Sequence, residues 1–298
     1  MTAQPQLATP LAASAAVLPD GLALGPVRLR VRDRERSLAF YTGVIGLADL
    51  GGTDGVLRLG AGGRVLIELE VAPDAPPARR GDTGLFHVAI LVPDRAALAA
   101  VVQRFVRLGA RFGASDHLVS EALYIDDPDG NGLEIYRDRS RDEWEWQGTS
   151  IHMETLQLDL RSVLKDLPPG TPVETPMPSG TTIGHVHLKV GDLETARRFY
   201  VERLGFALTT DRYSGALFVA AGGYHHHLGL NVWESRGRGP AAAGRTGLVH
   251  YRIDLPDAAA VEALRARLVE VGEAPATIPG GFAIRDPWGT TAHVVAQG

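Results

Sequence analysis

Histidine and carboxylate side chains are the residues of this sequence that could hold a metal ion. The chain has ten histidines and no cysteine, which excludes disulfides, thiolate metal sites and iron–sulfur clusters. Three of the histidines are consecutive, at His225, His226 and His227. Neutral imidazole and carboxylate suit a first-row divalent metal, and imidazole also suits acid–base catalysis near neutral pH. Either kind of site requires that the fold bring several of these side chains together.

The sequence repeats itself, and the repeat determines which elements carry those side chains. LRVRDRERSLAFYTGVIGL from Leu29 matches LKVGDLETARRFYVERLGF from Leu188. TGLFHVAILVPDRAALAAVVQRF from Thr83 matches TGLVHYRIDLPDAAAVEALRARL from Thr246. Repeats of this kind indicate copies of one supersecondary unit that bury a common core.

Each unit follows the same order of predicted elements. An alternating strand opens the unit, and an aspartate then stands where a helix N-cap is expected. Short strands punctuated by glycine follow the helix. The segments DDPDGNGLEIY from Asp126 and RDPWGTTAHVV from Arg285 end each half with a tight turn and a last strand. The predicted N-caps are Asp33, Asp94, Asp192 and Asp257. The pattern predicts β-α-β-β-β, four times over.

These units predict an α+β fold of two domains, each made of two βαβββ modules. The domains span residues 24–138 and 182–298, and a proline-rich linker at 139–181 joins them. Modules one to four cover residues 24–72, 84–138, 182–235 and 246–297.

The composition limits the class of protein and its partners. Of the 298 residues, 45% are hydrophobic and 22% charged, with a net charge of −5, as in soluble globular proteins. A basic stripe for nucleic acid is absent, and no apolar run reaches the ~18–20 residues that cross a bilayer. Residues 1–23 are rich in Ala and Pro without Lys or Arg, so we interpret them as a disordered leader. The sequence thus predicts a cytoplasmic protein without nucleic-acid or membrane partners.

Together these features resemble the vicinal oxygen chelate superfamily, which includes glyoxalase I, bleomycin-resistance proteins and type I extradiol dioxygenases. The likeness covers nearly all of residues 24–297 through paired βαβββ units, Asp-capped helices ending in Phe-Tyr and a late DPxG turn. More narrowly, the chain resembles bacterial CatE-like catechol 2,3-dioxygenases through GLFHVAILVPDR, DHLVSEALYIDDPDGNGLEIY, IGHVHLKV and GGYHHHLGLNVW. The resemblance implies cleavage of a catechol ring next to its diol.

The resemblance also implies a metal site. In that superfamily two modules face each other, curl their sheets into a cup and supply ligands from their first and last strands. The matching positions point to His87, His185 and Glu134. Two imidazoles and one carboxylate are the facial set of non-haem Fe(II), with Mn(II) as the alternative ion, and leave three positions open. Two of these would bind the catechol oxygens and the third O₂.

Catalytic side chains are implied in the same way. In extradiol enzymes a pair of histidines opens the last strand of the substrate-side module, and His226 matches the second of them, the acid–base group toward O₂. Tyr124, four residues before the Pro of the late turn, would hydrogen bond to the catechol, and His117 would take its proton. Strand alternation sends His226 to the opposite face from His225 and His227, so at least one of the three should point into the cup, and we favour His226.

The ligand positions depart from the family in one respect. Type I extradiol enzymes take their ligands from modules three and four, but module four here has Phe282 in place of the tyrosine and His293 in place of the glutamate. We therefore predict that module two pairs with module three and module one with module four. If modules pair within each half instead, the alternative site is His185, His250 and His293.

Two other functions remain open at this point. A glyoxalase-type lyase or isomerase would use Ni²⁺, Zn²⁺ or Mn²⁺ with a second carboxylate, which we do not find at the matching positions of modules two and three. A metal-free binding protein of the bleomycin-resistance kind is disfavoured because histidines cluster at the ligand positions. The preferred hypothesis is an Fe(II) extradiol dioxygenase with a small aromatic diol and O₂ as partners, and homo-oligomer formation is left open.

Overall fold

Four copies of one βαβββ unit follow one another along the chain, as the sequence predicts. The computed structural model describes residues 18–53 and 55–298. Most of the predicted leader, residues 1–17, lies outside the described residues. Its last part is ordered, because Leu18 and Leu22 are buried in the core and Ala23–Leu24 form strand β1. The prediction of a disordered leader is therefore wrong for residues 18–23.

Modules one and two contain ten of the elements. In both, the predicted aspartate caps the helix: Asp33 accepts a hydrogen bond from the N–H of Arg36, and Asp94 accepts one from Ala97. Module one consists of β2 (Val27–Val31), α1 (Arg34–Ala39) with a π-helical continuation (Phe40–Ile45), β3 (Ala48–Thr53), β4 (Val56–Ala61) and β5 (Arg64–Val71). Module two consists of β6 (Gly84–Leu91), α2 (Arg95–Arg107), β7 (Gly113–Asp116), β8 (Ser120–Asp126) and β9 (Gly132–Asp138).

The segment 139–181, which the sequence predicts to be a linker, contains short elements that pack on the modules. Strand β12 (Leu156–Gln157) pairs with β7, and the guanidinium of Arg95 in α2 donates to the carbonyl of Ser162 in α3 (Leu160–Leu164). The elements are a 3-10 turn (Arg141–Glu143), β10 (Trp146–Gln147), β11 (Ser150–Ile151), β12 (Leu156–Gln157) and α3 (Leu160–Leu164). This segment thus extends the sheet of module two rather than only crossing between halves.

Modules three and four repeat the arrangement. Asp192 and Asp257 cap their helices through the N–H groups of Thr195 and Ala260. Module three consists of β13 (Thr182–Lys189), α4 (Leu193–Arg197) with a π-helical continuation (Arg198–Arg203), β14 (Ala207–Thr210), β15 (Ala216–Ala220) and β16 (Leu228–Asn231). Module four consists of β17 (Gly247–Leu255), α5 (Ala258–Glu270), β18 (Ala276–Ile278), β19 (Gly281–Arg285) and β20 (Thr291–Ala296). Within residues 18–53 and 55–298, no helix has the length and apolarity needed to cross a membrane.

The modules pair across the two halves of the chain. Strand β6 of module two runs antiparallel to β13 of module three, and β2 of module one runs antiparallel to β17 of module four. The first joint sheet has the order β7-β8-β9-β6-β13-β16-β15-β14, and the second has β3-β4-β5-β2-β17-β20-β19-β18. The predicted pairing of two with three and one with four is confirmed, and β1 bridges the sheets by pairing with both β13 and β17.

The tyrosine of each repeated Phe-Tyr pair forms a hydrogen bond between the two modules of one half. Tyr41 is fully buried and donates a hydrogen bond to Oδ2 of Asp127 at 3.0 Å. Tyr200 makes the equivalent bond to Oδ2 of Asp286 at 2.9 Å. Since both aspartates lie in the late turn of the following module, each bond connects a helix to its neighbouring module. The sheets then connect the halves to each other.

Candidate metal centre

His87, Glu134 and His185 meet on three neighbouring strands of the joint sheet of modules two and three. His87 lies on β6, Glu134 on β9 and His185 on β13. Nε2 of His87 lies 2.8 Å from Oε2 of Glu134 and 3.3 Å from Nε2 of His185. Nε2 of His185 lies 3.1 Å from the same Oε2 atom. All three side chains are buried, so the structure brings the predicted ligand set to one point.

The three donor atoms have the spacing expected of adjacent ligands on one ion. Ligands about 2.1 Å from a common metal and at right angles lie about 3 Å from each other. The observed separations of 2.8, 3.1 and 3.3 Å agree with this value. In the described part of the chain, no other group of three or more His, Cys, Asp or Glu side chains could hold an ion in this way. The donor set therefore fits a divalent metal.

The protonation states of the cluster also suit a cation. Burial by itself raises the pKa of Glu134, but the charges of His185 and His87 and their hydrogen bonds lower it well below its usual value. Burial lowers the pKa of His185 to about 4, although the adjacent Glu134 opposes this shift. An ionised carboxylate beside a neutral imidazole is the state in which these groups bind a metal. Near neutral pH the His185 ring therefore carries no positive charge that would oppose a bound cation.

The alternative site of His185, His250 and His293 is wrong, because the sheets separate these residues. His250 on β17 and His293 on β20 belong to the joint sheet of modules one and four. Their rings stack on each other, with centroids 3.8 Å apart and planes at 15°. Burial, followed by the neighbouring His293, lowers the pKa of His250 to about 3. These two histidines form a stacked pair away from His185.

Tyr124 and His117 lie together in the wall of the same cavity. Nε2 of His117 is 2.7 Å from Oη of Tyr124, and Nδ1 of His117 is 2.7 Å from the carbonyl oxygen of Glu154. Because a carbonyl only accepts, Nδ1 of His117 carries a proton, and in the singly protonated ring Nε2 accepts from the Tyr124 hydroxyl. Burial, followed by the negative charge of Glu134, raises the pKa of Tyr124 well above its usual value. Tyr124 is therefore a protonated donor toward His117.

Of the three consecutive histidines, His226 is the one that lines the cavity. Its ring centroid lies 4.1 Å from that of His185. His227 is turned away, and its Nδ1 accepts a hydrogen bond from the N–H of Ala221 at 3.2 Å. Burial, followed by the nearby His185, lowers the pKa of His226 well below its usual value. The structure thus places in the cavity the histidine that the sequence favoured.

His187 is a further histidine that lines the cavity. Its ring lies 5.0 Å from that of His87 at 90°, and its Nε2 is buried without a hydrogen-bond partner among the described residues. The room for this ring comes from Gly229 on β16, where a Cβ atom would approach the His187 ring to 2.8 Å. The glycine in the HHHLGLN segment therefore leaves the space that the His187 ring occupies.

The cavity beside the cluster has a volume of about 270 Å³ and an apolar wall. Trp233 stands at its edge with 47% of its surface exposed and packs edge-on against Phe86, with ring centroids 5.3 Å apart. Aromatic and apolar side chains dominate the wall: Phe86, Met153, Tyr213, Phe218 and Trp233. No Lys or Arg lines the cavity within the described part of the chain.

The segment 139–181 contributes part of this wall, which sequence reasoning missed. Met153 and Thr155 line the cavity, and the carbonyl of Glu154 orients His117. The segment HMETLQL has neither clear periodicity nor a motif, so nothing in it signals a place in the site. Its pairing with β7 through β12 is what brings it there.

The fold and this cluster define a class of protein. A family model described as the Glyoxalase/Bleomycin resistance protein/Dioxygenase superfamily matches residues 23–135 and 182–294. The chain therefore belongs to this superfamily, and the resemblance drawn from its sequence is confirmed. Among individual proteins, the chain is 42% identical over 270 residues to a catechol-2,3-dioxygenase of Bacillus subtilis (strain 168), covering 89% of this chain and 93% of the relative.

Solved structures agree with the fold. A Bacillus subtilis structure superimposes with a TM-score of 0.63 at 15% identity, covering 94% of this chain and 86% of that one. Glyoxalase I from Zea mays superimposes with a TM-score of 0.55 at 20% identity, covering 93% and 92% of the two chains. At these identities the likeness concerns the arrangement of the modules. It confirms the predicted α+β fold of repeated glyoxalase-type modules.

Proposed function

We propose that this protein is an extradiol dioxygenase that cleaves a catechol-type ring with Fe(II) held by His87, His185 and Glu134. The observation that carries the proposal is the convergence of two imidazoles and one carboxylate at the base of a buried aromatic cavity. The similarity to a catechol-2,3-dioxygenase along 89% of the chain supports the same activity. A bound Fe(II) would supply the redox chemistry by which O₂ reacts with the ring.

The chain's own residues bind and orient the ring. The apolar wall of Phe86, Phe218 and Trp233 excludes water and packs against an aromatic face. Oη of Tyr124 donates to Nε2 of His117, so the lone pairs of that oxygen are free to accept a proton from a diol hydroxyl. A proton arriving at Tyr124 passes on toward His117, whose Nδ1 is held by the Glu154 carbonyl.

His226 supplies the second acid–base group. Its ring packs against His185 and Phe218, with centroid separations of 4.1 Å and 4.9 Å. It therefore lies beside the proposed ligand His185 and lines the same cavity as Tyr124. A neutral imidazole here can take a proton during turnover and return it to the product.

The wall also limits the proposed substrate. Because no Lys or Arg lines the cavity in the described chain, a carboxylate on the ring would find no counter-ion. We infer a small aromatic diol whose other ring substituents are uncharged, with O₂ as the second substrate. The cytoplasmic location and the choice of Fe(II) over Mn(II) stay predictions, and homo-oligomer formation stays open.

Anaerobic loading tests the activity. The protein is loaded with one equivalent of Fe(II), or of Mn(II) in a parallel sample, and mixed with catechol in air-saturated buffer. A yellow ring-fission product with matching O₂ uptake is expected. The variants His87→Ala and Glu134→Ala should abolish it, whereas the equivalent changes His250→Ala and His293→Ala in the other joint sheet should not. Absence of product with both metals and several catechols would overturn the proposal.

A further inference from the structure

A hydrogen-bonded chain of side chains leads from the end of β9 to His226. Nε2 of His225 lies 2.8 Å from Oδ1 of Asp138, and Nδ1 of His225 lies 2.7 Å from Nδ1 of His226. Asp138 is four residues beyond Glu134 on the same strand, and residues four apart along a strand lie on the same face. One strand thus presents a carboxylate to the proposed metal and a second carboxylate to the histidine pair.

The Asp138 carboxylate is fixed by a second donor. Oη of Tyr224 donates to Oδ2 of Asp138 at 3.0 Å, so each oxygen of the carboxylate has its own partner. Oη of Tyr136 lies 2.7 Å from Oη of Tyr224 and extends the network. His225 itself is completely buried, and the ring of Tyr224 lies on it with centroids 4.1 Å apart. These contacts leave the His225 ring little freedom to turn.

The hydrogen bonds from Asp138 through His225 to His226 determine which ring nitrogen of each histidine carries the proton. A carboxylate only accepts hydrogen bonds, so Nε2 of His225 is the donor to Asp138. In its neutral form the His225 imidazole has one donor and one acceptor, and its Nδ1 is then the acceptor. Nδ1 of His226 must then be the donor in the 2.7 Å contact. Nε2 of His226 is left as the unprotonated nitrogen of a ring that lines the cavity.

We propose that Asp138 and His225 are positioning residues that hold His226 with its proton on Nδ1 and its lone pair on Nε2. The proposal rests on the proposed function for the role of His226 as the acid–base group. With the opposite tautomer, His226 would present an N–H to the cavity and could not accept a proton there. A carboxylate that fixes the tautomer of a catalytic histidine through its other ring nitrogen is an established device, here extended by one intervening imidazole.

The tautomer can be measured without turnover. Protein labelled with ¹⁵N-histidine and loaded with diamagnetic Zn(II) gives two-bond ¹H–¹⁵N correlations that distinguish protonated from unprotonated ring nitrogens. The His226 signals are assigned from their loss in His226→Gln. We expect wild-type His226 to carry its proton on Nδ1. A proton on Nε2 would overturn the proposal whatever the enzyme's activity.

Variants test the role of the carboxylate. Asp138→Ala should shift the His226 signals toward the Nε2–H tautomer and lower kcat of the Fe(II) protein by about 10- to 100-fold, with KM and metal content nearly unchanged. Asp138→Glu keeps a carboxylate, so its His226 tautomer and its kcat should both be close to those of the wild type. Asp126→Ala, an exposed aspartate at the end of the neighbouring strand β8, is the matched control and should change neither.

The outcomes separate this proposal from the proposed function. An unchanged tautomer and unchanged kcat in Asp138→Ala would overturn the positioning role while leaving the dioxygenase activity intact. The opposite result is also informative: the protein cleaves no ring, but wild-type His226 has the expected tautomer and Asp138→Ala shifts it. This result would support the positioning role of Asp138 and His225 and overturn the proposed dioxygenase activity. If Asp138→Ala does not fold, the His226 tautomer in the wild type and in Asp138→Glu still tests whether the carboxylate positions His226.

Discussion

Nε2 of His87 lies 3.3 Å from Nε2 of His185, although 98 positions of sequence separate the two residues. The antiparallel pairing of β6 with β13 produces this contact, because it places the first strands of modules two and three side by side. Glu134 reaches the same point because β9 pairs in parallel with β6. The proposed metal site thus depends on a sheet shared by both halves of the chain.

Removing the imidazole of His226 should slow chemistry without removing the metal. We expect His226→Gln to lower kcat for catechol by about 100- to 10,000-fold, the range that acid–base groups contribute. Steady-state kinetics and metal analysis on the same sample check this. His250→Gln, on the other joint sheet, is the matched control. A His226→Gln enzyme with normal kcat would remove His226 from the mechanism.

The Tyr124 hydroxyl and His117 should act as one unit. Tyr124→Phe deletes the donor to Nε2 of His117 and the acceptor for the diol proton, so kcat/KM for catechol should fall by about 10- to 100-fold. His117→Asn should cause a similar loss, and the double variant should lose little more than either single variant. Losses that add in full would show that the two residues act independently.

Ring substituents should be discriminated by charge. We expect kcat/KM for 3,4-dihydroxybenzoate to be at least about 100-fold below that for 4-methylcatechol, because burying an unpaired carboxylate costs several kcal/mol. Competition assays with the two compounds measure the ratio. Thr155→Lys adds a cation to the cavity wall and should reduce the preference for 4-methylcatechol over 3,4-dihydroxybenzoate. Equal use of both compounds by the wild type would contradict the proposed substrate class.

Asp286 should make the free energy of unfolding fall as the pH rises. Burial raises its pKa to about 6, although Tyr200 and the N–H groups of Thr290 and Trp288 oppose the shift. A carboxyl whose pKa is raised on folding stabilises the fold fully below its unfolded pKa of about 3.9, and this contribution is lost as pH rises through about 6. From pH 4 to pH 7 the wild type should therefore lose up to about 3 kcal/mol relative to Asp286→Asn.

Urea unfolding at several pH values measures that difference. The comparison of wild type with Asp286→Asn cancels the groups that titrate in both proteins. An unfolding free-energy difference that stays constant between pH 4 and pH 7 would mean that Asp286 titrates normally. Arg111→Gln, which changes an exposed arginine of module two, would serve as a control with a pH-independent difference, because an arginine does not titrate in this range.

Much of the fold was predictable from the sequence, because its signals are local. The aspartates at positions 33, 94, 192 and 257 cap helices as predicted. A carboxylate just before a helix accepts hydrogen bonds from the free N–H groups of the first turn, so the signal lies within a few residues of sequence. The pairing of modules was harder to predict, because no local signal in the four opening strands distinguishes the two possible pairings. The ligand types decided it: Glu134 completes a metal set with His87 and His185, whereas His293 does not.

Other parts of the site were beyond sequence reasoning. The wall formed by Met153 and Thr155 comes from a segment without periodicity, positioned by a two-residue strand. The contact between Asp138 and His225 joins residues 87 positions apart, and the GGYHHHLGLNVW motif that contains His225 carries no sign of its partner Asp138. The C-terminal part of the predicted leader was misjudged because Leu18 and Leu22 are too few to show a pattern, yet both reach the core.

Location of the metal tests the central claim most directly. Crystals soaked anaerobically with Fe(II) should give one strong anomalous difference peak at the iron absorption edge, about 2.0–2.3 Å from Nε2 of His87, Nε2 of His185 and a carboxylate oxygen of Glu134. The same soak of Glu134→Ala crystals should give no peak there. A wild-type peak at the stacked pair of His250 and His293, or no ordered iron at the three residues, would contradict the account.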